Sequence, residues 1–272
     1  IQIENEDDSS LSLLVPPYRV DVTREADVIE EILRIYGYNN VEIPTQVKAS
    51  LQYPEKTDPD NLRNIVANML TSIGFNEIWS NSLTKSAYYE QSEVFRIENT
   101  VKLLNPLSSD LNCLRQTLLY GGLECIAYNV NRQNRDLKLY EFGNCYATGD
   151  GSPDEKMVGD YIEEEHLGIF ITGNKEAENW TGKAEPASFF YVKAVAENVL
   201  KKLGFDIDRL NVNEISNESG SEGISYSYGK KILLETGCVS EAHLEKFEID
   251  SPVWYADFHW GHILKMKTGE EV

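Results

Sequence analysis

The segment from Asp27 to Tyr36 mixes acidic and apolar residues with the period of an α-helix. At about 100° per residue, Asp27, Glu30 and Glu31 fall in one sector of such a helix. The opposite sector collects the apolar side chains of Val28, Ile29, Ile32, Leu33, Ile35 and Tyr36. Gly37 follows the last apolar turn and can adopt the left-handed conformation that ends a helix. The pattern therefore predicts a short amphipathic helix with one face in a core and the other face acidic.

The acidic face permits two interpretations. Carboxylates in the first turn of a helix are favoured by the helix dipole, by about 0.3–1 kcal/mol each, and this requires no ligand. Alternatively, three carboxylates on one face, with Asp21 near enough in sequence to join them, repel one another and attract a cation or a basic partner. The spacing lacks the alternating ligands and central glycine of an EF-hand loop. A hard ion such as magnesium, with waters or another chain completing its shell, is the sharper hypothesis.

Composition limits the functions that the chain can serve. It has 272 residues with 45 acidic and 25 basic side chains, a formal net charge of -20 that opposes nonspecific attraction to nucleic acids and anionic membranes. The cysteines are widely spaced without a zinc-ligand pattern, which predicts free thiols and a cytoplasmic location. No apolar run reaches the roughly 20 residues of a spanning helix, so no membrane partner is expected. The chain starts at Ile1 rather than Met, which suggests a piece of a longer protein.

The hydrophobic pattern divides the chain into three parts. Residues 1–45 indicate two strands and the acidic helix, and residues 46–60 are polar and contain prolines, as in a linker. Residues 61–272 carry strand-like runs with helical stripes among them and no regular strand–helix alternation, which predicts an α+β domain. The aromatic-rich segment 253–264 is predicted to be the last strand of this domain.

Several motifs, in the same order along the chain, resemble one family. Pro16-Pro17-Tyr18-Arg19-Val20-Asp21, Asp27-Val28-Ile29-Glu30-Glu31 and Arg34-Ile35-Tyr36-Gly37-Tyr38-Asn39 resemble the B5 domain of the bacterial phenylalanyl-tRNA synthetase beta chain. Motifs similar to the catalytic-like core domain of that chain follow, at Asn105-Pro106-Leu107-Ser108, Leu114-Arg115-Gln116-Thr117-Leu118-Leu119, Tyr140-Glu141-Phe142-Gly143-Asn144, Phe190-Tyr191-Val192-Lys193 and Gly237-Cys238-Val239-Ser240. The resemblance covers nearly the whole chain.

The resemblance implies a class II synthetase-like antiparallel sheet with flanking helices at 61–272, preceded by the second half of a B5 domain, a small α/β segment, at 1–45. It implies pairing with the phenylalanyl-tRNA synthetase alpha chain in an α2β2 enzyme that attaches phenylalanine to tRNA(Phe). In that enzyme this segment is expected to be a noncatalytic scaffold without catalytic residues. ATP is expected in the intact enzyme only, and tRNA contacts mostly through domains absent here.

The resemblance also assigns a metal site. The magnesium ligands of the family fall on Asp21, Asp27, Glu30 and Glu31, and the ion is shared with the alpha chain. This assignment coincides with the acidic face that the helical period defines. It favours the cation hypothesis over a purely structural role for these carboxylates.

An independent synthetase site finds little support in the sequence. Activation of an amino acid by ATP requires arginines placed on the phosphates. The segment 254–264 contains a glycine but no arginine, and the spacing of Arg115, Arg132 and Arg135 makes no phosphate clamp. We therefore expect these three arginines at an interface, facing tRNA, or on the ordinary surface.

The histidines show no metal pattern in the sequence. His259 and His262 are three apart in a strand-like stretch and would point to opposite faces, while His166 and His243 have no evident partners. Two alternatives to the scaffold stay open, namely an autonomous class II adenylate-forming enzyme with an unrecognised site and an acidic interaction module unrelated to translation.

Overall fold

The structure is a computed structural model of the chain. The residues that it describes are 1–7, 10–43, 45–46, 49–50, 58–90, 92, 94–149, 160–176, 180, 182–217 and 220–268. The chain divides into two compact units, Ile1–Pro54 and Glu55–Val272. Much of the predicted linker at 46–60 lies outside the described residues.

The first unit contains a hairpin and the amphipathic helix. β1 (Gln2–Glu6) and β2 (Leu11–Leu14) are antiparallel, and α1 spans Glu25–Tyr36. Gly37 has a φ of 94° and its N–H donates to the carbonyl oxygen of Leu33 at 2.8 Å. The predicted helix and its terminating glycine are therefore confirmed.

The predicted core on the apolar face of α1 is wrong for this unit. Ile29, Ile32 and Ile35 are 48%, 55% and 86% exposed. Because the hairpin is only two short strands, it leaves an open groove of about 840 Å³ between itself and the helix. The groove is lined in part by the apolar side chains of Leu11, Leu13, Val15, Val22, Val28, Ile29 and Ile32.

The second unit begins with α2 (Pro59–Ser72), whose start and end follow local rules. Asp58 precedes the helix, and its carboxylate accepts the N–H of Asp60 at 3.0 Å. Proline at the first helical position has no N–H to leave unsatisfied, and an aspartate just before it satisfies one of the others. Gly74, with φ of 90°, ends this helix region and directs Phe75 back into the core, where it is 2% exposed.

A seven-stranded sheet forms the centre of the second unit. Its strand order is β3-β6-β7-β11-β10-β9-β8. β3 pairs in parallel with β6, and every other neighbouring pair is antiparallel. In that order the strands span Asn76–Glu77, Leu137–Thr148, Tyr161–Thr172, Val253–Phe258, Lys231–Cys238, Gly220–Tyr228 and Asn211–Asn217. A separate antiparallel pair joins β4 (Leu83–Thr84) to β5 (Cys113–Leu114).

Helices cover both faces of this sheet, as the alternation of buried residues along β7 illustrates. Leu167, Ile169 and Ile171 belong to a core with α2, α4 (Phe189–Lys202) and α6 (Trp260–Thr268). Phe170 belongs to a second core with α3 (Leu119–Val130) and α5 (Glu241–Lys246). Successive side chains of a strand point to opposite faces, so one strand supplies both cores. The mixed α+β class is therefore confirmed.

The prediction of a strand over 253–264 is wrong at its second half. β11 ends at Phe258, and α6 begins at Trp260. Trp260 and Ile263 are buried at 1% and 0% exposure, a spacing of three that places both on the core side of a helix. An aromatic-rich run of this kind fits the pattern of a strand and that of a helix equally well. Tertiary packing then determines which of the two forms. Of the helices that the structure describes, none has the length and apolar character to cross a membrane.

Candidate metal and ligand sites

Asp27 lies in the first turn of α1 and its carboxylate is engaged with the backbone. Oδ2 accepts the N–H groups of Thr23 at 3.0 Å and Arg24 at 2.8 Å. These bonds lower the pKa of Asp27, since they stabilise the ionised form. The residue therefore satisfies amide groups at the helix start that otherwise have no partner.

Arg19 joins two of the other predicted magnesium ligands. One guanidinium nitrogen, Nη2, lies 2.9 Å from Asp21 Oδ2 and 2.8 Å from Glu31 Oε1. The hydrogen bond from Arg19 lowers the pKa of both carboxyl groups, and Arg34 adds to the effect at Glu31. A positive group thus occupies the space between two carboxylates where a metal ion would have to compete with it.

The four predicted magnesium ligands do not converge in this structure. Glu30 is exposed one turn along α1, and no three of the four carboxylates bring oxygens within 4.8 Å of one another. Magnesium keeps several waters and often takes only one or two carboxylates, so convergence is not a requirement of the hypothesis. The magnesium site at Asp21, Asp27, Glu30 and Glu31 stays a prediction.

A second candidate site lies on the central sheet, in a cavity of about 310 Å³. His166 on β7 places Nδ1 2.8 Å from Oδ1 of Asp257 on β11. On the other side of the same ring, Nε2 is 3.8 Å from Oε2 of Glu164. His259, which follows β11, has its ring centroid 4.7 Å from that of His166. Other residues that line the cavity include Gln116, Glu235, Thr236 and Tyr255.

The electrostatics of this cavity centre on His166. Burial lowers the pKa of His166, but Asp257 and Glu164 outweigh burial and raise it to about 10. Burial raises the pKa of Asp257, yet the charge of His166 brings it below its ordinary value. At neutral pH the metal-free cavity therefore holds an imidazolium between two carboxylates.

His259 has a different environment from His166. Both ring nitrogens are buried, and neither has a hydrogen-bond partner among the described residues. The nearest acidic atom, Oε2 of Glu235, is 3.8 Å from Nε2. His262 stacks on His259 with ring centroids 5.3 Å apart and places its Nδ1 2.9 Å from the carbonyl oxygen of Ile232.

The sequence interpretation of the histidines needs correction. His259 and His262 do not point to opposite faces of a strand, because α6 begins between them. His166 has Asp257 as a partner, and His243 has Ser240, whose Oγ is 2.7 Å from Nδ1. His166 and Asp257 are 91 residues apart, so only the pairing of β7 with β11 brings them together.

Arg115 is also not the surface or interface residue that the sequence suggests. It is 4% exposed, and its Nη1 donates to Oε1 of the fully buried Glu141 at 2.7 Å. Nε donates to the carbonyl oxygen of Asn144 at 2.9 Å. Arg132, in contrast, lies at the surface, with its guanidinium 3.4 Å from the ring centroid of Tyr128. The guanidinium of Arg115 is thus buried and hydrogen-bonded to Glu141 and Asn144, so it is not available to bind a phosphate.

Comparison with known proteins decides the family. Residues 43–260 match the family described as phenylalanyl tRNA synthetase beta chain CLM domain, and residues 1–38 match the tRNA synthetase B5 domain. The chain belongs to the phenylalanyl-tRNA synthetase beta chain family. Within this family, the phenylalanine–tRNA ligase beta subunit of Bacteroides thetaiotaomicron is 49% identical over 97% of this chain, and that of Porphyromonas gingivalis is 40% identical over 97%. The chain spans about a third of the length of these relatives, 33% of each.

Solved structures share the fold of this beta-chain family member. Pyrrolysyl-tRNA synthetase from Desulfitobacterium hafniense aligns with a TM-score of 0.58 and 14% identity, covering 90% of this chain and 77% of its own. A second structure of that synthetase aligns with a TM-score of 0.57 and 16% identity, covering 90% of this chain and 74% of its own. At such identities the likeness concerns the fold alone.

Proposed function

We propose that this chain is part of the beta subunit of a phenylalanine–tRNA ligase and serves as a noncatalytic scaffold for the catalytic alpha chain. In the α2β2 enzyme, ATP-dependent attachment of phenylalanine to tRNA(Phe) takes place on the alpha chain, and most tRNA contacts come from other beta-subunit domains. The names of the relatives support the assignment to this enzyme. The fold of the second unit, shared with a solved synthetase, supports a class II synthetase-like domain, which we propose does not catalyse the reaction. A cytoplasmic location follows from this role in translation.

The observation that best supports the scaffold role is the composition of the cavity around His166 on the central sheet, called here the sheet cavity. Three carboxylates line it, those of Glu164, Glu235 and Asp257, and no arginine or lysine is among the described residues of its wall. The three carboxylates would repel a triphosphate, because the described wall of the cavity offers no arginine or lysine to stabilise its phosphoryl groups. Arg115 cannot supply the charge, since Glu141 holds it in the interior.

The composition of the cavity also weighs against the autonomous adenylate-forming enzyme. That alternative needs a cryptic site with arginines directed at a nucleotide, and the sheet cavity offers carboxylates and imidazoles instead. The acidic interaction module unrelated to translation is disfavoured by the family match over 43–260. The scaffold remains the best-supported function.

We further propose the domain boundaries at 1–45 for the partial B5 segment, 46–60 for the linker and 61–272 for the core domain. The division into compact units at Pro54 and Glu55 falls inside the proposed linker. The match to the B5 family ends at residue 38, before the linker begins. The match to the beta chain CLM domain begins at residue 43 and so includes the proposed linker. The end of the B5 match and the division into units are therefore the observations that support these boundaries.

The proposed metal of the first unit is magnesium, held by Asp21, Asp27, Glu30 and Glu31 and shared with the alpha chain. Carboxylate oxygens suit this ion, and the side chain of Glu30 is exposed. Asp21 and Glu31 suit it less well, because Arg19 already neutralises them. Magnesium would supply a fixed positive charge between the two chains, and Arg19 would have to turn away to admit it.

Light scattering on a size-exclusion column tests the scaffold role directly. The protein is mixed with the alpha chain of the same organism, with and without magnesium, and compared with a Glu30→Gln variant. Glu25→Gln is the matched control, because Glu25 lies on the same helix and is not among the proposed ligands. We expect a complex that magnesium strengthens and that Glu30→Gln weakens while Glu25→Gln does not. Two separate peaks under all conditions would contradict the scaffold, and equal behaviour of the two variants would contradict the metal site.

A further inference from the structure

The sheet cavity contains a set of side chains that suits a metal other than magnesium. In the part of the chain that the structure describes, one group of three places its potential ligand atoms within 4.8 Å of one another. The group consists of Glu164, His166 and His259. Imidazole nitrogens with one carboxylate are a donor set for zinc, iron, copper or nickel, whereas magnesium and calcium prefer oxygen alone.

Asp257 holds the ring of His166 in the orientation that metal binding requires. Its Oδ1 is 2.8 Å from Nδ1 and therefore fixes which edge of the ring faces the carboxylate and which faces Glu164. Histidines that bind metals almost always use the second nitrogen in this way, with a carboxylate or a carbonyl as partner. Nε2 of His166 is thus presented toward Glu164 Oε2, 3.8 Å away.

The remaining distances leave space for an ion. Glu164 Oε2 lies 3.8 Å from Nε2 of His166, and Glu235 Oε2 lies 3.8 Å from Nε2 of His259, so both separations are too long for hydrogen bonds. In a tetrahedral zinc site with bonds of about 2.0–2.1 Å, neighbouring ligand atoms are about 3.3–3.4 Å apart. Closure by about half an ångström would bring Glu164 and His166 to that spacing. The ring nitrogens of His259 have no hydrogen-bond partner among the described residues, so one of them can coordinate the ion without breaking a hydrogen bond.

We propose that Glu164, His166 and His259 bind one divalent transition-metal ion of the zinc class, with Asp257 as a positioning residue. The ion replaces the proton on Nε2 of His166, which is released to solvent, and a water completes the shell of the ion. All four residues lie in the second unit, whereas the proposed magnesium ligands belong to the first unit, so the two sites use different residues. The competing interpretation is a metal-free network of an imidazolium and carboxylates that only stabilises the sheet.

Zinc titration distinguishes these interpretations. The protein is purified without a polyhistidine tag, treated with a chelator and titrated with zinc chloride alone near pH 7 in a calorimeter. We expect one zinc ion per chain, and an affinity that falls by about tenfold or more in Glu164→Gln and in His259→Asn. Asp257→Asn is expected to lower the affinity about 10–100-fold while the circular dichroism spectrum is retained.

Glu163→Gln is the matched control for Glu164→Gln. Glu163 is the neighbour on β7, but its side chain points to the opposite face and Oε1 accepts the side-chain amide of Asn144. Zinc affinity in this variant is expected to stay within about twofold of the original protein, since no proposed ligand changes.

Histidine NMR on the unchanged protein provides a readout that no folding defect can affect. Zinc is expected to shift the ring resonances of His166 and His259 and to leave those of His243 in place, because His243 lies in the core packed beneath the sheet with α3 and α5. No saturable zinc binding, or binding that survives both Glu164→Gln and His259→Asn with unshifted His166 and His259 resonances, would overturn the proposal.

Discussion

The buried ion pair of Arg115 and Glu141 gives a stability prediction of defined size. Their side chains are 5% and 0% exposed, and Glu141 accepts three hydrogen bonds: from Arg115 Nη1 at 2.7 Å, from Ser80 Oγ at 2.7 Å and from the Ser80 N–H at 3.1 Å. Glu141→Leu removes all three and leaves a buried guanidinium whose remaining hydrogen-bond partners among the described residues are Ser80 Oγ and the carbonyl oxygen of Asn144. Breaking one partner of such a pair costs about 3–5 kcal/mol.

Urea unfolding and thermal melts measure this loss. For a unit of this size, about 3–5 kcal/mol corresponds to a fall in Tm of roughly 6–20 °C. The double variant Arg115→Met with Glu141→Leu should recover most of the loss, because apolar side chains of similar volume replace both charges. Glu185→Gln is the control: its partner Lys175 is 3.6 Å away and Glu185 is 72% exposed, so the change should be below about 1 kcal/mol. A loss below about 1 kcal/mol for Glu141→Leu, or a double variant no more stable than it, would refute the argument.

Two further predictions concern packing and pH. Gly122→Ala should lower the free energy of unfolding, measured in urea, by about 1–3 kcal/mol, because the added methyl would lie 2.2 Å from the Phe170 ring. At Gly182 the added methyl meets no atom of the described residues within 4 Å, so Gly182→Ala should be nearly neutral. Tyr226→Phe should cost about 1.5–3 kcal/mol at pH 7 by removing the 2.7 Å hydrogen bond to Glu197. Burial raises the pKa of Glu197, but the hydrogen bond from Tyr226 and the nearby lysines outweigh burial and lower the pKa overall. The loss of unfolding free energy in Tyr226→Phe should therefore persist above about pH 5 and shrink as the pH falls below about 4.3, where Glu197 becomes protonated in the unfolded chain. A cost that does not change with pH would contradict the ionised partner.

Local signals in the sequence mark several helix ends correctly. Asp58 with Pro59 marks the start of α2, and Gly37 and Gly74 adopt the positive φ angles expected at helix ends. Gly229, with a φ of 60°, lies in the turn that joins β9 to β10, and a positive φ in a tight turn is typical of glycine. These features depend on a few neighbouring residues, so a single sequence contains them. The strand prediction for 253–264 is wrong in its second half because the apolar residues there fit both the strand period and the helix period. The burial of Trp260 against the core favours the helix.

The sequence predicts the candidate sites less completely than it predicts the fold. The magnesium hypothesis arises from a helical period and a family motif, both of which are local. The group around His166 requires β7 and β11 to be neighbours, and strand pairing over 91 residues has no local signal. Burial is equally nonlocal, and for this reason Arg115 resembles a surface residue in the sequence although Glu141 binds it in the interior.

We propose that this chain supports catalysis by the alpha chain without performing it. Phenylalanine-dependent exchange of pyrophosphate into ATP tests the claim most directly, measured for the folded chain alone, for the alpha chain alone and for the two together. We expect no exchange by this chain alone, because its cavity presents carboxylates rather than arginines to a nucleotide. Exchange by this chain alone, dependent on phenylalanine and abolished by substitutions in the sheet cavity, would contradict the scaffold and establish an active site there.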